Sequence, residues 1–390
     1  MNRLLSLDGG GIRALFTLEI LDRVEAILRK QTNNDKLVLA DYFNFIGGNS
    51  TGAIVSACLS WGMEVSEVRD FYLKFADEIF RPVRSWRFLR HAYDRENLAQ
   101  LLQQVFVEED GSEALLGSPR LRTLLMVVLR NGSSGSVWPI TNSPGARYNA
   151  RNHDSCNLNY PLWKLIRAST AAPTFFPTET ISVKRRGKEE TLNEFVDGGV
   201  TPYNNPALRM FVQATVPELG IGMATGVDKT FVLSVGTGRV RKSYGYGRLG
   251  DVNRIGALIR SIHALIDSSE VEQDVMCRVF GKCVYGESVD REIGALMDPD
   301  GDGSDKHFTY CRYNHTFTEE EQKDPNCLSW SGSAFDIDNL KSMELLTRIG
   351  RRYAAEHVDP SHFPEMTPGL GSQILKPNGD IGHPSPYSVS

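Results

Sequence analysis

The 390-residue chain is long enough for one large α/β domain or for two domains of ordinary size. Hydrophobic residues make up 41% of it and charged residues 23%, a globular balance that excludes a disordered or fibrous protein. The formal net charge of -5 argues against a DNA- or RNA-binding protein, because contacts to phosphate normally require a basic surplus.

The cysteines and the first residues bear on the cellular compartment. No two cysteines form a C-x-x-C pair, which predicts free thiols in a reducing environment. The start of the chain lacks the features of a signal peptide, and no stretch reaches the roughly 18 to 20 apolar residues of a membrane-spanning helix. We therefore expect a cytoplasmic protein that contacts membranes peripherally when active.

Strands and helices alternate along the chain. The predicted strands, in order, are residues 3–7, 42–48, 121–130, 137–141, a hairpin within 180–196, and 229–238. The predicted helices are residues 14–30, 53–61, 64–106 with a break near Arg81-Pro82, 159–172 stopped by Pro173, 251–280 and 336–357. This alternation predicts an α/β fold with a mainly parallel sheet covered on both faces.

One domain is the simpler interpretation of this pattern. We assign it residues 1–360, with the motif-bearing core at about 3–240, because neither an internal repeat nor a linker precedes residue 360. Residues 361–390 are rich in proline, glycine and serine, which predicts a C-terminal tail.

The second predicted strand ends in a G-x-S-x-G motif, which runs from Gly48 through Ser50 to Gly52. A strand before the motif and an apolar helix after it are typical of a nucleophile elbow. The two glycines allow a tight turn that exposes the serine at a helix N-terminus, where the helix dipole favours a nucleophilic hydroxyl. Ser50 is the predicted nucleophile.

Two further glycine turns supply the remaining chemistry. Gly9, Gly10 and Gly11 follow the first strand, and their lack of side chains lets backbone N–H groups converge on one oxygen as an oxyanion hole. Asp197 precedes Gly198 at the end of a later strand and is the predicted base. We expect all three turns at the same edge of the parallel sheet, where such strands bind ligands with their carboxyl ends.

Three segments that carry these turns resemble the patatin family, which includes plant patatins, calcium-independent phospholipases and many bacterial proteins. The segments are LLSLDGGGIRALFTLEILDRVE, LADYFNFIGGNSTGAIVSACLS and EFVDGGVTPYNNPA. The resemblance is strong over residues 3–62 and moderate over 160–240, where ASTAAPTFFP and FVLSVGTG also look like family segments. It implies a three-layer α/β/α patatin-like fold, a Ser-Asp dyad and hydrolysis of acyl esters of glycerolipids.

Transferred onto this sequence, the resemblance makes Ser50 the nucleophile and Asp197 the general base and acid. It places the oxyanion hole at Gly9, Gly10, Gly11 and Ile12, with Arg13 and Gly198 as supporting residues and no metal or cofactor. The family usually has a glycine after the arginine, where this chain has Ala14, a good helix former in the first turn of a helix. We expect that difference to leave activity intact.

The implied reaction is cleavage of a fatty acyl ester of a membrane glycerophospholipid through an acyl-enzyme. Asp197 would accept the Ser50 proton, return it to the leaving lysophospholipid and then activate water, so that free fatty acid is released. An ordinary aspartate, with a pKa of about 3.9, is a weak base. We expect partial burial to raise the pKa of Asp197.

A histidine triad is the nearest enzymatic alternative. His263, His307 or His315 could complete a Ser-Asp-His arrangement of the α/β-hydrolase type. In that fold several strands precede the nucleophile, whereas one predicted strand precedes Ser50. The dyad is therefore preferred, and a general glycerolipid or carboxyl esterase with the same dyad remains an alternative for the substrate.

Two other motifs suggest ligand binding. Gly9 to Ala14 satisfies the dinucleotide pattern G-x-G-x-x-A, but the next strand ends in Gly-Gly-Asn-Ser instead of the acidic residue that holds a ribose. Residues 298–303, DPDGDG, resemble the start of a calcium-binding loop, but Thr309 occupies the place of its bidentate glutamate. An acidic surface loop is the preferred interpretation of the second motif, and a fortuitous calcium site the alternative.

A basic stretch follows the strand that ends at residue 238. It comprises Arg239, Arg241, Lys242, Arg248, Arg254 and Arg260. A solvated surface is the ordinary meaning of such a stretch, and an anionic lipid or an anionic regulator is the functional alternative. Some bacterial patatin-like phospholipases are defence effectors activated by cyclic oligonucleotides. The resemblance therefore adds a cyclic oligonucleotide activator and an antiphage role as hypotheses.

Overall fold

The computed structural model describes residues 1–79, 95–150, 156–173, 175–184, 189–240, 254–297, 301–328 and 334–366, without the side chains of residues 75, 77–79, 95 and 254–263. Its strands are β1 (Asn2–Leu7), β2 (Phe45–Asn49), β3 (Leu124–Asn131), β4 (Val137–Thr141), β5 (Glu179–Val183), β6 (Thr191–Asp197), β7 (Thr230–Val235), β8 (Arg239–Val240), β9 (Gly281–Tyr285), β10 (Phe308–Tyr313) and β11 (Thr316–Phe317). Its helices are α1 (Ala14–Thr32), α2 (Leu39–Tyr42), α3 (Thr51–Ser60), α4 (Val65–Ile79), α5 (Arg95–Val105), α6 (Leu162–Ser169), α7 (Ala207–Thr215), α8 (Arg254–Phe280), α9 (Glu319–Gln322) and α10 (Met343–His357).

The central sheet is mainly parallel and is covered by helices on both faces. Its strand order is β5-β6-β3-β2-β1-β7-β10-β9, with β4 beside β3; β4, β5 and β6 run antiparallel to their neighbours. Along β1 the side chains alternate between two apolar clusters. Leu4 packs in the cluster that contains α7, while Leu5 and Leu7 pack in the cluster that contains α1 and α3. The predicted three-layer α/β/α fold is confirmed.

The position of β6 differs from the prediction. β2 pairs with β3 as far as Val128, whose partner is Asn49. β3 continues to Asn131, and β6 pairs antiparallel with its last residues, so that Asp197 lies opposite Leu129. The end of β3 is paired with β4 along one of its two edges. β6 must therefore pair along the opposite edge of β3, beyond the point where β2 ends.

β6 therefore meets β2 end to end. The Asp197 turn thus follows a strand that runs antiparallel to β3, the second strand of the predicted hairpin. Asp197 reaches the same edge of the sheet because an antiparallel strand overlaps only the last three residues of β3, Leu129 to Asn131.

The C-terminal part of the described chain packs on the domain. Residues 361–390 are predicted to form a tail, yet Phe363 is 4% exposed and the Arg3 guanidinium donates to the Glu365 carbonyl at 2.6 Å. The domain thus includes residues up to 366, and the rest of the predicted tail lies outside the described residues, as does the predicted helix break near residue 81.

Two sequence predictions concern thiols and membrane spans. All six cysteines are buried and unpaired, as predicted; they are Cys58, Cys156, Cys277, Cys283, Cys311 and Cys327. In the part of the chain that the structure describes, no helix combines the length and the apolar character that crossing a bilayer requires.

Candidate active site

Ser50 occupies a strained turn between β2 and α3. Its φ of 53° and ψ of −125° lie in a region that costs a residue with a side chain on the order of 1–3 kcal/mol. A Cβ on Gly48 would lie 2.2 Å from the Gly52 carbonyl oxygen, and a Cβ on Gly52 would lie 2.4 Å from the Leu7 carbonyl oxygen. Both predicted elbow glycines therefore stand where the chain passes too close to itself for any side chain.

The Ser50 hydroxyl donates a hydrogen bond to Asp197 Oδ2 at 2.7 Å. The other carboxylate oxygen, Oδ1, accepts from the Gly199 N–H at 2.6 Å, which fixes the orientation of the carboxylate. Gly198 lies between Asp197 and Gly199 in the chain, and a Cβ on Gly198 would lie 2.4 Å from the Val128 carbonyl oxygen. The structure thus brings the two predicted catalytic residues into direct contact.

Asp197 is 3% exposed, and this burial has an electrostatic consequence. Burial raises the pKa of Asp197 to about 6, against the hydrogen bonds from Gly199 and Ser50, which lower it. The carboxylate is still ionised at neutral pH but holds a proton far better than an aspartate in water. That combination suits a group that must accept a proton and return it.

Two amides of the predicted oxyanion loop bond to the protein itself. The Gly9 N–H donates to the Asn204 carbonyl at 3.3 Å, and the Gly10 N–H donates to Thr51 Oγ1 at 3.1 Å. Gly9 and Gly10 both line the cavity over Ser50. Their hydrogen bonds hold the loop against the start of α3.

The backbone N–H groups of Gly11 and Ile12 differ in whether another group of the protein already accepts a hydrogen bond from them. The Ile12 N–H donates to the Ile337 carbonyl at 2.7 Å, and the Ile12 side chain is fully buried. Ile12 therefore departs from the prediction that it lines the oxyanion hole. Gly11 lines the cavity, and its N–H has no hydrogen-bond partner within the described residues. The amide best placed to bind an oxyanion is that of Gly11.

Arg13 supports the loop from the side. Its Nε donates to the Gly10 carbonyl at 3.4 Å, and its Nη1 donates to the Gly238 carbonyl at 3.0 Å. Gly238 follows β7, so the guanidinium joins the glycine loop to the end of a neighbouring strand. The predicted supporting role of Arg13 thus has a geometric basis.

A buried ion network lies beneath the glycine loop. Arg312 on β10 donates to both carboxylate oxygens of Asp8, at 3.0 and 2.6 Å, and to Glu270 on α8 at 3.0 Å. Burial alone would lower the pKa of Arg312, but the neighbouring Asp8 carboxylate outweighs it and keeps the guanidinium charged. Asp8 immediately precedes Gly9, so this pair fixes the residue at which the loop begins.

A cavity of about 120 Å³ opens above Ser50 and Asp197. Besides the glycine loop, it is bordered mainly by apolar residues from the segment after α6, from the turn after β6, from α8 and from the loop before α10. These are Ala172, Pro173, Phe175, Val200, Ile266 and Ile337. An apolar wall beside an activated serine suits a substrate that presents a hydrocarbon chain next to its ester.

Three contributors to the site escaped the sequence analysis. Ser169 accepts a hydrogen bond from the Ser50 N–H, Asn204 accepts from the Asn49 side chain, and Arg312 holds Asp8. Ser169 lies in the ASTAAP segment, whose likeness to the family was noted without assigning a role to its serine. No local pattern distinguishes the other two residues.

The histidines whose side chains the structure describes do not support a triad. His307 directly precedes β10 and so lies at the opposite edge of the sheet. Burial alone would lower the pKa of His315, but the neighbouring carboxylates of Glu287 and Glu321 outweigh burial and raise this pKa to about 9, so the ring is protonated at neutral pH. No histidine of the described residues lines the cavity, and the His263 side chain lies outside them.

The calcium-loop motif is only partly described. Residues 298–300 lie outside the described ranges, and the carboxylate of Asp302 accepts from the Ser304 N–H at 2.9 Å in an exposed turn. Among the residues whose placement is given, no group of three or more His, Cys, Asp or Glu side chains could hold a metal ion.

Of the basic stretch, Arg239 is fully described. It lies in β8, and its Nη1 donates to the Val289 carbonyl at 3.5 Å. The structure does not describe the side chains of Arg241, Lys242, Arg248, Arg254 and Arg260.

Comparisons with known proteins agree with the geometry of the site. A family model described as patatin-like phospholipase matches residues 5–211. Patatin-17 of Solanum cardiophyllum is 31% identical over 250 residues, which cover 61% of this chain and 61% of that protein. Patatin-1-Kuras 2 of Solanum tuberosum is 29% identical over 250 residues, which cover 61% of this chain and 63% of that protein.

The match is partial in length. The chain spans about three fifths of the length of these relatives. The crystal structure of VipD from Legionella pneumophila covers 91% of this chain and 67% of its own, at 12% identity and a TM-score of 0.33. A TM-score of 0.33 means that the two backbones superpose poorly.

Proposed function

Because the chain belongs to the patatin-like phospholipase family, we propose that it is a serine acyl hydrolase that cleaves fatty acyl esters of membrane glycerophospholipids. The observation that carries this proposal is the 2.7 Å hydrogen bond from the Ser50 hydroxyl to a buried Asp197 carboxylate. The strained Ser50 backbone and the Gly11 amide, which lines the same cavity, support the same reaction.

In the proposed mechanism, Ser50 Oγ attacks the ester carbonyl carbon while Asp197 accepts the hydroxyl proton. The carbonyl oxygen becomes an oxyanion, which the Gly11 N–H stabilises. As the tetrahedral intermediate collapses, Asp197 returns the proton to the leaving lysophospholipid oxygen. Asp197 then takes a proton from the water that attacks the acyl-enzyme, and it returns this proton to Ser50 Oγ as the fatty acid is released.

The substrate assignment depends on the cavity walls. The apolar residues that line the cavity favour a long acyl chain over a small polar ester. A general glycerolipid or carboxyl esterase would use the same dyad, and the products distinguish the two. After incubation with a mixed lipid extract, a phospholipase releases fatty acid together with lysophospholipid, whereas cleavage of neutral glycerides alone would contradict the phospholipid assignment.

The dyad itself is tested by two substitutions. We expect Ser50→Ala and Asp197→Asn each to lower hydrolysis by about 10⁴-fold or more, because attack requires both the nucleophile and its base. Fluorophosphonate labelling of the purified protein should disappear in Ser50→Ala. Near-parental turnover in folded Asp197→Asn would reject the dyad.

A cyclic oligonucleotide activator and an antiphage role are part of the proposal. Their support is the family resemblance together with the basic residues that follow β7. The purified protein is assayed on phospholipid vesicles with and without cyclic di- and trinucleotides. Full hydrolysis without any nucleotide would overturn the hypothesis of a nucleotide activator.

A cytoplasmic location with peripheral membrane contact completes the proposal, and fractionation of cells tests it.

A further inference from the structure

The backbone amide of Ser50 has an unusual hydrogen-bond partner. Ser50 lies between the end of β2 and the start of α3, where its N–H joins neither the sheet ladder nor the helix. It donates instead to Ser169 Oγ at 3.0 Å. A strained conformation persists only when its surroundings hold it, so this bond bears directly on the geometry of the nucleophile.

The Ser169 hydroxyl is itself fixed. It donates to the Val128 carbonyl at 2.6 Å, and the residue is fully buried as the last residue of α6. Val128 is the β3 residue paired with Asn49, directly before Ser50. The hydroxyl therefore connects the elbow amide to the strand on which both β2 and β6 pair.

The same segment also holds the base. Two residues after Ser169, the Ala171 carbonyl accepts a hydrogen bond from the Asp197 N–H at 3.0 Å. The next residue, Ala172, lines the cavity. One short stretch of chain thus contacts the amides of both members of the dyad.

We propose that Ser169 is a positioning residue for the hydrolase reaction. Its hydroxyl fixes the Ser50 amide while Ala171 fixes the Asp197 amide, so the segment sets the distance between nucleophile and base. This inference rests on the proposed function, because it concerns the reaction of Ser50 with Asp197.

The test is Ser169→Ala, assayed with p-nitrophenyl butyrate and with a fluorophosphonate probe. We expect kcat and the labelling rate of Ser50 each to fall about 10- to 100-fold, because small displacements of a reacting group cost rates of this size. KM should stay within about twofold, since substrate binding does not involve the buried hydroxyl.

Ser60→Ala is the matched control. Ser60 is also a fully buried last residue of a helix, α3, and its hydroxyl accepts from Thr123 at 2.9 Å, at the opposite end of β3. We expect Ser60→Ala to lose thermal stability but to keep the parental kcat. If Ser169→Ala does not fold, Ser169→Cys, which keeps the size but accepts hydrogen bonds poorly, takes its place with the same expectation.

The outcomes separate the two proposals. A parent protein that is not labelled at Ser50 contradicts the proposed function. A labelled parent whose Ser169 variant reacts at the same rate overturns the positioning role alone. The positioning role also fails if Ser60→Ala loses as much kcat as Ser169→Ala.

Discussion

At the scale of single residues, burial makes Asp197 a stronger base than an aspartate in water. The carboxylate is buried and accepts hydrogen bonds from a backbone amide and from the nucleophile. Burial raises its pKa to about 6, which costs folding free energy whenever the group is ionised. Catalytic competence and stability are therefore opposed at this residue.

This opposition predicts that Asp197→Asn stabilises the fold while it abolishes activity. A carboxyl whose pKa rises from 3.8 to about 6 on folding costs the folded state up to about 3 kcal/mol above pH 6, and nothing below about pH 4. An asparagine keeps the acceptor for Gly199 and carries no charge. The gain in unfolding free energy should therefore appear at pH 8 and vanish at pH 4.

Urea unfolding at both pH values measures this effect. Asp35→Asn, at an exposed position, serves as the control and should change little at either pH. A loss of stability in Asp197→Asn at pH 8 would show that the carboxylate is not penalised by burial.

Residues with local signatures were predictable, and residues that act at a distance were not. Ser50 and its flanking glycines can be recognised in the sequence because a strand, the glycines and a helix follow one another within a few positions. Ser169 contacts Ser50 across 119 residues of chain, and Arg312 contacts Asp8 across 304. A buried serine at a helix end and an arginine in a strand have no local pattern that reveals such partners.

At the scale of secondary-structure elements, the start of α3 depends on close packing against β1. A Cβ on Gly52 would lie 2.4 Å from the Leu7 carbonyl oxygen and 2.6 Å from that of Asp8. These obstructing atoms belong to the backbone, so no flexible side chain could move aside to make room. The elbow and the oxyanion loop are therefore positioned by the same contact.

Gly52→Ala should consequently disturb both parts of the site. We expect a loss of about 1–3 kcal/mol of unfolding free energy from overpacking, together with strongly reduced fluorophosphonate labelling of Ser50. The control is Gly132→Ala, in the turn between β3 and β4. There the new Cβ would lie 3.3 Å from the Glu194 carbonyl oxygen. Thermal unfolding and labelling kinetics measure the effect, and equal behaviour of the two variants would refute this explanation.

The sequence does not reveal the direction of β6 relative to β3. A strand followed by Asp-Gly-Gly looks the same whether it runs parallel or antiparallel to its neighbour. Its pairing depends on β3 extending three residues past β2, which is a property of three strands together. The general layering was predictable because alternation of strands and helices is itself a local pattern.

At the scale of the whole molecule, a buried ion network joins distant parts of the chain beneath the site. Arg312 on β10 bonds to Asp8 at the end of β1 and to Glu270 on α8. Glu270 also accepts from Asn314 at 2.8 Å. The C-terminal half of the domain therefore supports the loop that the N-terminal half contributes.

Replacing Arg312 with methionine should leave two buried carboxylates without their cation. We expect Arg312→Met to lose about 3–5 kcal/mol of unfolding free energy, the usual cost of breaking a buried ion pair on one side. Lys323→Met removes a surface pair with Glu319 and should have little measurable effect. Urea unfolding of both variants is the measurement, and an Arg312 variant as stable as the control would show that the network contributes nothing.

The long sequence separation between Ser50 and Asp197 has a consequence for protein synthesis. The ribosome makes the nucleophile 147 residues before its base, and it makes Arg312 later still. A nascent chain or a proteolytic fragment that stops before β6 carries an elbow with no base. On the proposed function, an incomplete translation product cannot attack the membranes of the cell that makes it.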